Sequence, residues 1–433
     1  MKLGLSLLLV PAILSAQQPT DAGFKPVSLQ EAVGLAQTNS PSAVQAQGAV
    51  ENAEGQIKTT YYGFFPTLSG SLGHSQGAGQ VLDNGGKLIP RISRPQYSTG
   101  LNANLTVFDG GKRVYDLRAR RADLNAADVS EAATKFTIAL SVKQQYFAIL
   151  AAREAEAAAK IALDLANQQL AASVAKVRAG AAIISDSLRS AIAVGNAQLT
   201  LLNAQNSVRN SSLALTRLVG STTPVTAAAS DTSDFAITPI DSAAIVMLAT
   251  TGPTVRTAEA NLASANAAVK SAKAAWYPNL TTSLRYGGSG YDMYYGIGSG
   301  QLAYSNTFSV SLNMPLWDGF SRSESVNRAE VTVNGDVAQV RDAKLLALQN
   351  IETQISTLRS AEERIRIQQL SVQAAQEDLR VQQQRYALGS STLLDVTTSL
   401  NSLNSARQSL IQARLDYRTA RAQIEAIIGR DLK

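Results

Sequence analysis

The sequence predicts an α+β membrane protein built by internal duplication. Each half carries a pair of membrane-crossing strands and a long antiparallel helical hairpin. Three observations lead there: the chain repeats itself at a nearly fixed offset, each half holds residues alternating with period two over a bilayer's length, and each half then keeps a heptad through a long stretch without proline.

The repeat is seen in Phe108-Asp109-Gly110, which returns as Trp317-Asp318-Gly319, and in Gly180 and Gly220, which return as Gly389 and Gly429, each 209 positions on. Asp186 and Asp395 keep the same separation. Earlier, Phe64-Phe65-Pro66-Thr67-Leu68 matches Trp276-Tyr277-Pro278-Asn279-Leu280 at an offset of 212, so a few inserted or deleted residues separate the two frames. Copies of about 200 residues are too long for a solenoid repeat and read as a duplicated structural unit.

The 433 residues are 45% hydrophobic and only 6% aromatic, with 39 Lys and Arg against 33 Asp and Glu. Basic residues are spread along the helices among acidic ones, whereas a nucleic-acid face needs clustered cations interleaved with aromatics, so nucleic acid is excluded as a partner. Residues 1–16 read as a signal peptide: Lys2 is the positive start, Leu3 to Leu14 the apolar run and Ser15-Ala16 the small-residue end. Beyond it no run of about 18 apolar residues can form a transmembrane helix. With no cysteine the chain has no disulfide, thiolate metal site or lipidated N-terminal Cys. A secreted chain of this kind is soluble, or crosses a membrane as strands.

From Tyr97 to Phe108, Tyr97, Thr99, Leu101, Ala103, Leu105 and Val107 alternate with Ser98, Gly100, Asn102, Asn104 and Thr106. In the second copy Phe308, Val310, Leu312, Met314 and Leu316 alternate with Thr307, Ser309, Ser311 and Asn313. Ten to twelve residues of this pattern suit a tilted bilayer-crossing strand. Partner strands are expected from Pro66 to about Gln76 and from Pro278 to about Tyr286, with long loops at 77–96 and 287–304. Phe64, Phe65, Trp276 and Tyr277 open the outgoing strands, while Phe108 and Trp317 close the returning ones. They form one level, as an interfacial aromatic girdle in contact with membrane lipid requires. An open sheet edge is not tolerated in lipid. Four strands must therefore be completed by other copies, and three copies supply twelve.

Asp109-Gly110-Gly111 and Asp318-Gly319 lead into stretches at 112–179 and 320–388 that would run to about 100 Å as helices. Ile351, Leu358, Ile365, Val372, Leu379 and Tyr386 fall every seven residues; their counterparts are Val142, Ile149, Glu156, Leu163, Leu170 and Val177. After the turn, Val396, Leu403, Leu410, Tyr417 and Ile424 are mirrored by Val194, Leu201, Val208 and Leu215. Strict heptads specify left-handed supercoiled packing. Gly180 and Gly389 supply helix ends, with tips near 180–186 and 389–395. The expected plan is a signal at 1–16 and a first repeat at 17–220, with strand pair 66–108 and helical hairpin 112–219. A linker at 221–238 follows, then a second repeat at 239–433, with strand pair 278–317 and hairpin 320–428.

In order and spacing these motifs resemble the TolC-like outer-membrane efflux proteins. The resemblance rests on Pro66 and Pro278 with their Pro-x-Leu openings, on Phe108-Asp109-Gly110 and Trp317-Asp318-Gly319, and on the tip sequences Lys176-Val177-Arg178-Ala179-Gly180 and Arg385-Tyr386-Ala387-Leu388-Gly389 with Asp186 and Asp395 downstream. It implies a homotrimer whose twelve-stranded outer-membrane barrel continues into an α-helical barrel in the periplasm. An inner-membrane pump and a periplasmic adaptor that engages the tips are implied partners. By the same resemblance Asp186, Tyr386 and Asp395 are gate residues at the periplasmic entrance. Gly180, Ala181, Gly389 and Ser390, being small, are candidates for adaptor contact. Ser391 stands where the family pattern has an Arg of the closed-state lock, and Thr398 where a second acid can occur.

No catalytic, cofactor or metal-binding residues are expected. His74, the sole histidine, lies in a strand, and Gly296-Ile297-Gly298-Ser299-Gly300 lacks the strand and helix that a phosphate loop needs. Asp186 and Asp395 each have a plainer reading as helix caps. The implied function is that of a passive trimeric channel for efflux or type I secretion. The alternative is a periplasmic or secreted coiled-coil structural protein without a pore.

Overall fold

The computed structural model describes residues 23–82, 84–92, 95–228, 241–291 and 302–432. The signal peptide, most of the linker and the Gly296–Gly300 run lie outside the described residues. In the first half the elements are β1 (Lys25–Val27), α1 (Leu29–Asn39), α2 (Pro41–Tyr62), β2 (Thr67–Ser75), β3 (Ala78–Leu82), β4 (Leu88–Ile92), β5 (Gln96–Phe108), α3 (Lys112–Arg178), α4 (Ile184–Val219) and β6 (Val225–Ala227). The second half has α5 (Ser242–Ala249), α6 (Pro253–Ala274), β7 (Asn279–Tyr291), β8 (Ala303–Asn313), α7 (Ser321–Ala387) and α8 (Leu393–Ile428). The duplication is kept to the residue: α3 and α7 each span 67 residues, α4 and α8 each 36, and α2 and α6 each 22.

Packing follows different lines from the repeat. The described chain divides into two compact units, one taking residues 23–41, 138–228 and 354–423, the other 42–137, 241–353 and 424–432. Each unit draws on both halves, so the duplicated stretch is a unit of sequence rather than of packing.

In the first unit β1 and β6 pair in parallel, Lys25 against Val225 through Val27 against Ala227. The sequence reading missed both strands, and β6 lies inside the expected linker; three residues are too few to show a period. They are fastened by Tyr146, which is fully buried. Its hydroxyl donates to the Val27 carbonyl at 3.1 Å and accepts from the Ala228 amide at 3.0 Å. The second-half heptads form the seam they predict: Leu379, Tyr386, Leu393, Val396 and Leu403 are one buried cluster, with Val372 packed against it. In the first half Val142, Ile149, Val194 and Leu215 are buried as the heptad predicts, but nearer the tip of α3 the seam differs. Leu163, Leu170 and Val177 are only half-buried, and the fully enclosed positions are Ala159, Ala166 and Ser173, themselves seven apart. Small side chains there let helix backbones approach closely.

In the second unit β2, β5, β7 and β8 form one antiparallel sheet in the order β2-β5-β7-β8. The two expected hairpins are joined because β5 also pairs with β7. The register decides the faces. Leu68 lies opposite Ala103 and Leu72 opposite Thr99, Leu101 opposite Tyr286 and Ala103 opposite Leu284, and Leu280 and Leu284 opposite Leu312 and Phe308. One face is thus apolar across all four strands. On the other, Ser69 meets Asn102, Asn104 meets Ser283, and Ser283 meets Ser309, their hydroxyls 2.6 Å apart.

Three expected boundaries change. β7 continues to Tyr291, five residues past the expected end, because Gly287 and Gly288 keep pairing with β5 and β8. β8 stops at Asn313, so Met314 and Leu316 lie beyond it, next to Pro315. The 77–96 loop contains its own hairpin, β3 with β4, turning through Asn84-Gly85-Gly86 with Gly86 at φ 78°. Asn-Gly is a strong hairpin signal, and it stands within the stretch expected only to be a long loop.

Candidate functional site

Two places position polar side chains: the level where strands give way to long helices, and the hairpin tips.

At the first level the duplication builds the same clamp twice. Asp109 accepts from the Arg113 amide at 3.1 Å and from its Nε at 2.8 Å. Asp318 does the same for Arg322 at 3.0 and 2.8 Å. Each guanidinium then lies on an aromatic ring that opens an outgoing strand, Arg113 on Phe64 at 4.9 Å and Arg322 on Trp276 at 4.5 Å. Arg113 also donates to the carbonyls of Gly63 and Val107, tying the end of α2 to the end of β5. Burial works to raise the Asp318 carboxyl, but the hydrogen bonds and charge of Arg322 outweigh it and leave the pKa below its ordinary value. The arginines were missed in the sequence, although they too stand 209 positions apart. Gly110 shows why this corner needs glycine. Its φ is 68°, and an added Cβ would lie 2.3 Å from the Tyr277 Cβ.

Of the expected girdle, Phe65, Phe108, Trp276, Tyr277 and Trp317 are exposed aromatics, and Phe64 is half-covered beneath Arg113. Three more belong with them: Tyr61 and Tyr62, in ring contact with Phe65 at 6.0 and 6.1 Å, and Phe320, edge-on to Trp317 at 5.0 Å. His74 faces the apolar side of the sheet beside Tyr97, ring centroids 4.8 Å apart.

At the tips Gly180 and Gly389 hold φ 72° and 78°. They end α3 and α7 with the same cap: Gly180 and Ala181 donate to the carbonyls of Val177 and Lys176, and Gly389 and Ser390 to those of Tyr386 and Arg385. All four residues are exposed.

The two aspartates differ. Asp395 sits in a reciprocal cap: its Oδ2 accepts from the Thr392 amide and hydroxyl, both at 2.8 Å, and the Thr392 hydroxyl accepts from the Asp395 amide at 3.2 Å. Ser391 adds a third donor at 3.0 Å. The Thr392 amide, then its hydroxyl and that of Ser391, hold the Asp395 carboxyl below the usual carboxylate range. The residue before α4 is Ile183, which offers no side-chain cap. Asp186 stands in the first turn of that helix, and its charge reaches Tyr386. Burial first, and then Asp186, raises the pKa of the Tyr386 phenol. The Tyr386 hydroxyl is enclosed with no hydrogen-bond partner among the described residues. Lys176, which the sequence reading quoted without assigning it a role, lies over the Tyr386 ring at 3.9 Å and donates to the Tyr386 carbonyl. Asp186 and Tyr386 are therefore brought into electrostatic reach with Lys176 between α3 and α7, while Asp395 is engaged in its own cap.

Above these residues α3, α4 and α8 enclose a cleft of about 570 Å³, its walls formed by Ala159, Ala166 and Ala193 and by the amides of Asn196, Asn401 and Asn404.

A family model described as outer membrane efflux protein matches residues 32–221 and 245–430, both halves of the duplication. The pyoverdine export outer membrane protein OpmQ of Pseudomonas aeruginosa strain PAO1 is 26% identical over 344 residues, covering 77% of this chain and 68% of OpmQ. A crystal structure of CusC superimposes with a TM-score of 0.77 at 19% identity over 96% of each chain. That of the outer membrane protein VceC from Vibrio cholerae does so with a TM-score of 0.73, at 19% identity over 94% of this chain and 97% of VceC. These likenesses extend over the strands, the long hairpins and the tips alike, and the chain belongs to the outer membrane efflux protein family.

Proposed function

We propose that three copies of this chain close into a twelve-stranded barrel in the outer membrane and serve as a passive exit duct. Membership of the family makes the chain an outer-membrane efflux channel; the trimer, the strand count and the working parts are the finer reading. The observation that carries it is the sheet with one apolar face, one polar face and two open edges. A sheet whose apolar face meets lipid cannot leave edge amides and carbonyls unpaired there. The β2 edge of one copy meeting the β8 edge of the next satisfies both and turns the Ser, Thr and Asn face into a wet lumen.

The helical hairpins then lie in the periplasm. An inner-membrane pump supplies the energy, and an adaptor engages the tips at Gly180, Ala181, Gly389 and Ser390, where small exposed residues admit a partner's backbone. Asp186 and Tyr386, with Lys176 clasping the Tyr386 carbonyl and ring, are the gate. Asp395 holds the shape of the second tip and, by symmetry, stands in a ring of three. Ser391 in place of an arginine leaves that ring without an Arg–Asp lock, and its hydroxyl instead reaches Gln382 and Asp395.

The absence of cysteine gives a direct test of the closure. A chain carrying Ser71→Cys on β2 and Ser309→Cys on β8 should crosslink between copies into a ladder that stops at three. Monomers alone, or a ladder running on past three, would refute the closure and favour the pore-free coiled-coil protein.

A further inference from the structure

We infer that Arg285 sets the charge preference of the barrel lumen and that this section of the duct favours cargo bearing anionic groups. This rests on the trimeric-duct reading above. Arg285 is the seventh of the thirteen residues of β7, at the middle of the strand. It lies opposite Asn102 of β5 and Thr307 of β8, on the polar face of the sheet. Its strand neighbours on that face are Ser283 and Gly287.

No other Asp, Glu, Lys or Arg occurs anywhere in β2, β5, β7 or β8. The guanidinium therefore has no carboxylate within the sheet to neutralise it, and it is exposed in the single chain. An arginine that served only to knit the sheet together would be expected opposite an acid. This one is surrounded by hydroxyls, an amide and glycine.

An uncompensated charge at the middle of a membrane strand is tolerated only toward water. On the lipid side it is destabilising, most of all at the bilayer centre. The two flanking side chains, Leu284 and Tyr286, occupy the lipid side, on which Tyr286 stacks on Tyr304 at 5.6 Å. Threefold repetition turns one inward arginine into a ring of three permanent positive charges. Rings of Arg or Lys select for anions and phosphates, and the planar guanidinium fork matches carboxylate and phosphate oxygens.

The test is the zero-current potential of the purified full-length channel in planar bilayers under a KCl gradient, for wild type, Arg285→Ser and Arg285→Glu. The wild type should favour chloride. The anion-to-cation permeability ratio should fall toward one in Arg285→Ser and invert in Arg285→Glu. Conducting channels whose potential is the same in all three proteins would overturn the charge-ring assignment and leave the duct intact. If neither the wild type nor a Lys176→Met, Asp186→Asn variant that unlatches the tips conducts, the duct reading is overturned and the inference with it.

Discussion

Single residues decide where this chain is firm and where it is strained. Tyr146 donates to Val27 and accepts from Ala228, so Tyr146→Phe removes both of these bonds, while the Ala228 amide keeps its direct bond to the Val27 carbonyl at 3.0 Å. Losing a hydrogen bond of this kind costs about 0.5–1.5 kcal/mol. The variant should unfold at lower denaturant with an unchanged slope, and an unmoved midpoint would show that the direct bond alone holds the two strands. Asp395 gives a pH dependence of known sign. Its folded pKa is depressed, so the cap's contribution is complete above the ordinary value of 3.8 and is lost as pH falls through the lower folded value. Hydrogen exchange at the Thr392 amide should therefore speed up below about pH 4 in wild type, beyond the intrinsic pH trend, and not in Asp395→Asn; equal behaviour in the two proteins would show that the carboxylate does not hold the cap. Phe320 is the strained case. It holds φ 66° where its duplicate is Gly111 at φ 81°, a conformation that costs a side chain about 1–2 kcal/mol. What it gains is a second exposed ring against Trp317, at the level of the girdle.

At the scale of elements, what was legible in the sequence was whatever had a long period. Twelve alternating residues marked β5, and the heptads from Val142 to Val177 and from Ile351 to Tyr386 marked α3 and α7, because such runs cannot be mistaken for one another. β1 and β6 were invisible, since three residues carry no period and their pairing joins positions 200 apart. In the first half the heptad finds Val142, Ile149, Val194 and Leu215, and it misplaces only the part of the seam nearer the tip, for a different reason. Leu163, Leu170 and Val177 look like core by size, yet Ala159, Ala166 and Ser173 are what the neighbouring helices enclose. At the tips the spacing located Gly180, Gly389, Asp186 and Asp395, but only coordinates separate a capping carboxylate from one that faces Tyr386. Lys176 and the two clamp arginines were in plain view, and nothing about an isolated basic residue says which ring it will cover. The sheet makes the sharpest claim at this scale, because its two faces differ by one residue of register. Leu284→Arg should lose about 2–4 kcal/mol of membrane stability, while Ser283→Arg, on the opposite face, should be tolerated. Folding titrations into vesicles check both, and equal losses would mean that the faces are not sorted between lipid and water.

Across the whole molecule, the duplication explains why one chain carries four strands, two long hairpins and two tips, and the family explains what such a chain is for. The two packed units cut across the repeat, so neither half is a domain that could be removed while the other stayed folded. The same economy leaves β2 and β8 without outer partners in a single chain. Every functional part of the account depends on how those edges are closed: the lumen, the ring at Arg285 and the threefold gate at Asp186 and Tyr386. Native mass spectrometry of the mature protein extracted from outer membranes in mild detergent tests this most directly. The account predicts a single species of three times the chain mass. A monomer or dimer that stays dispersed without detergent would contradict it, leaving no closed barrel and no duct.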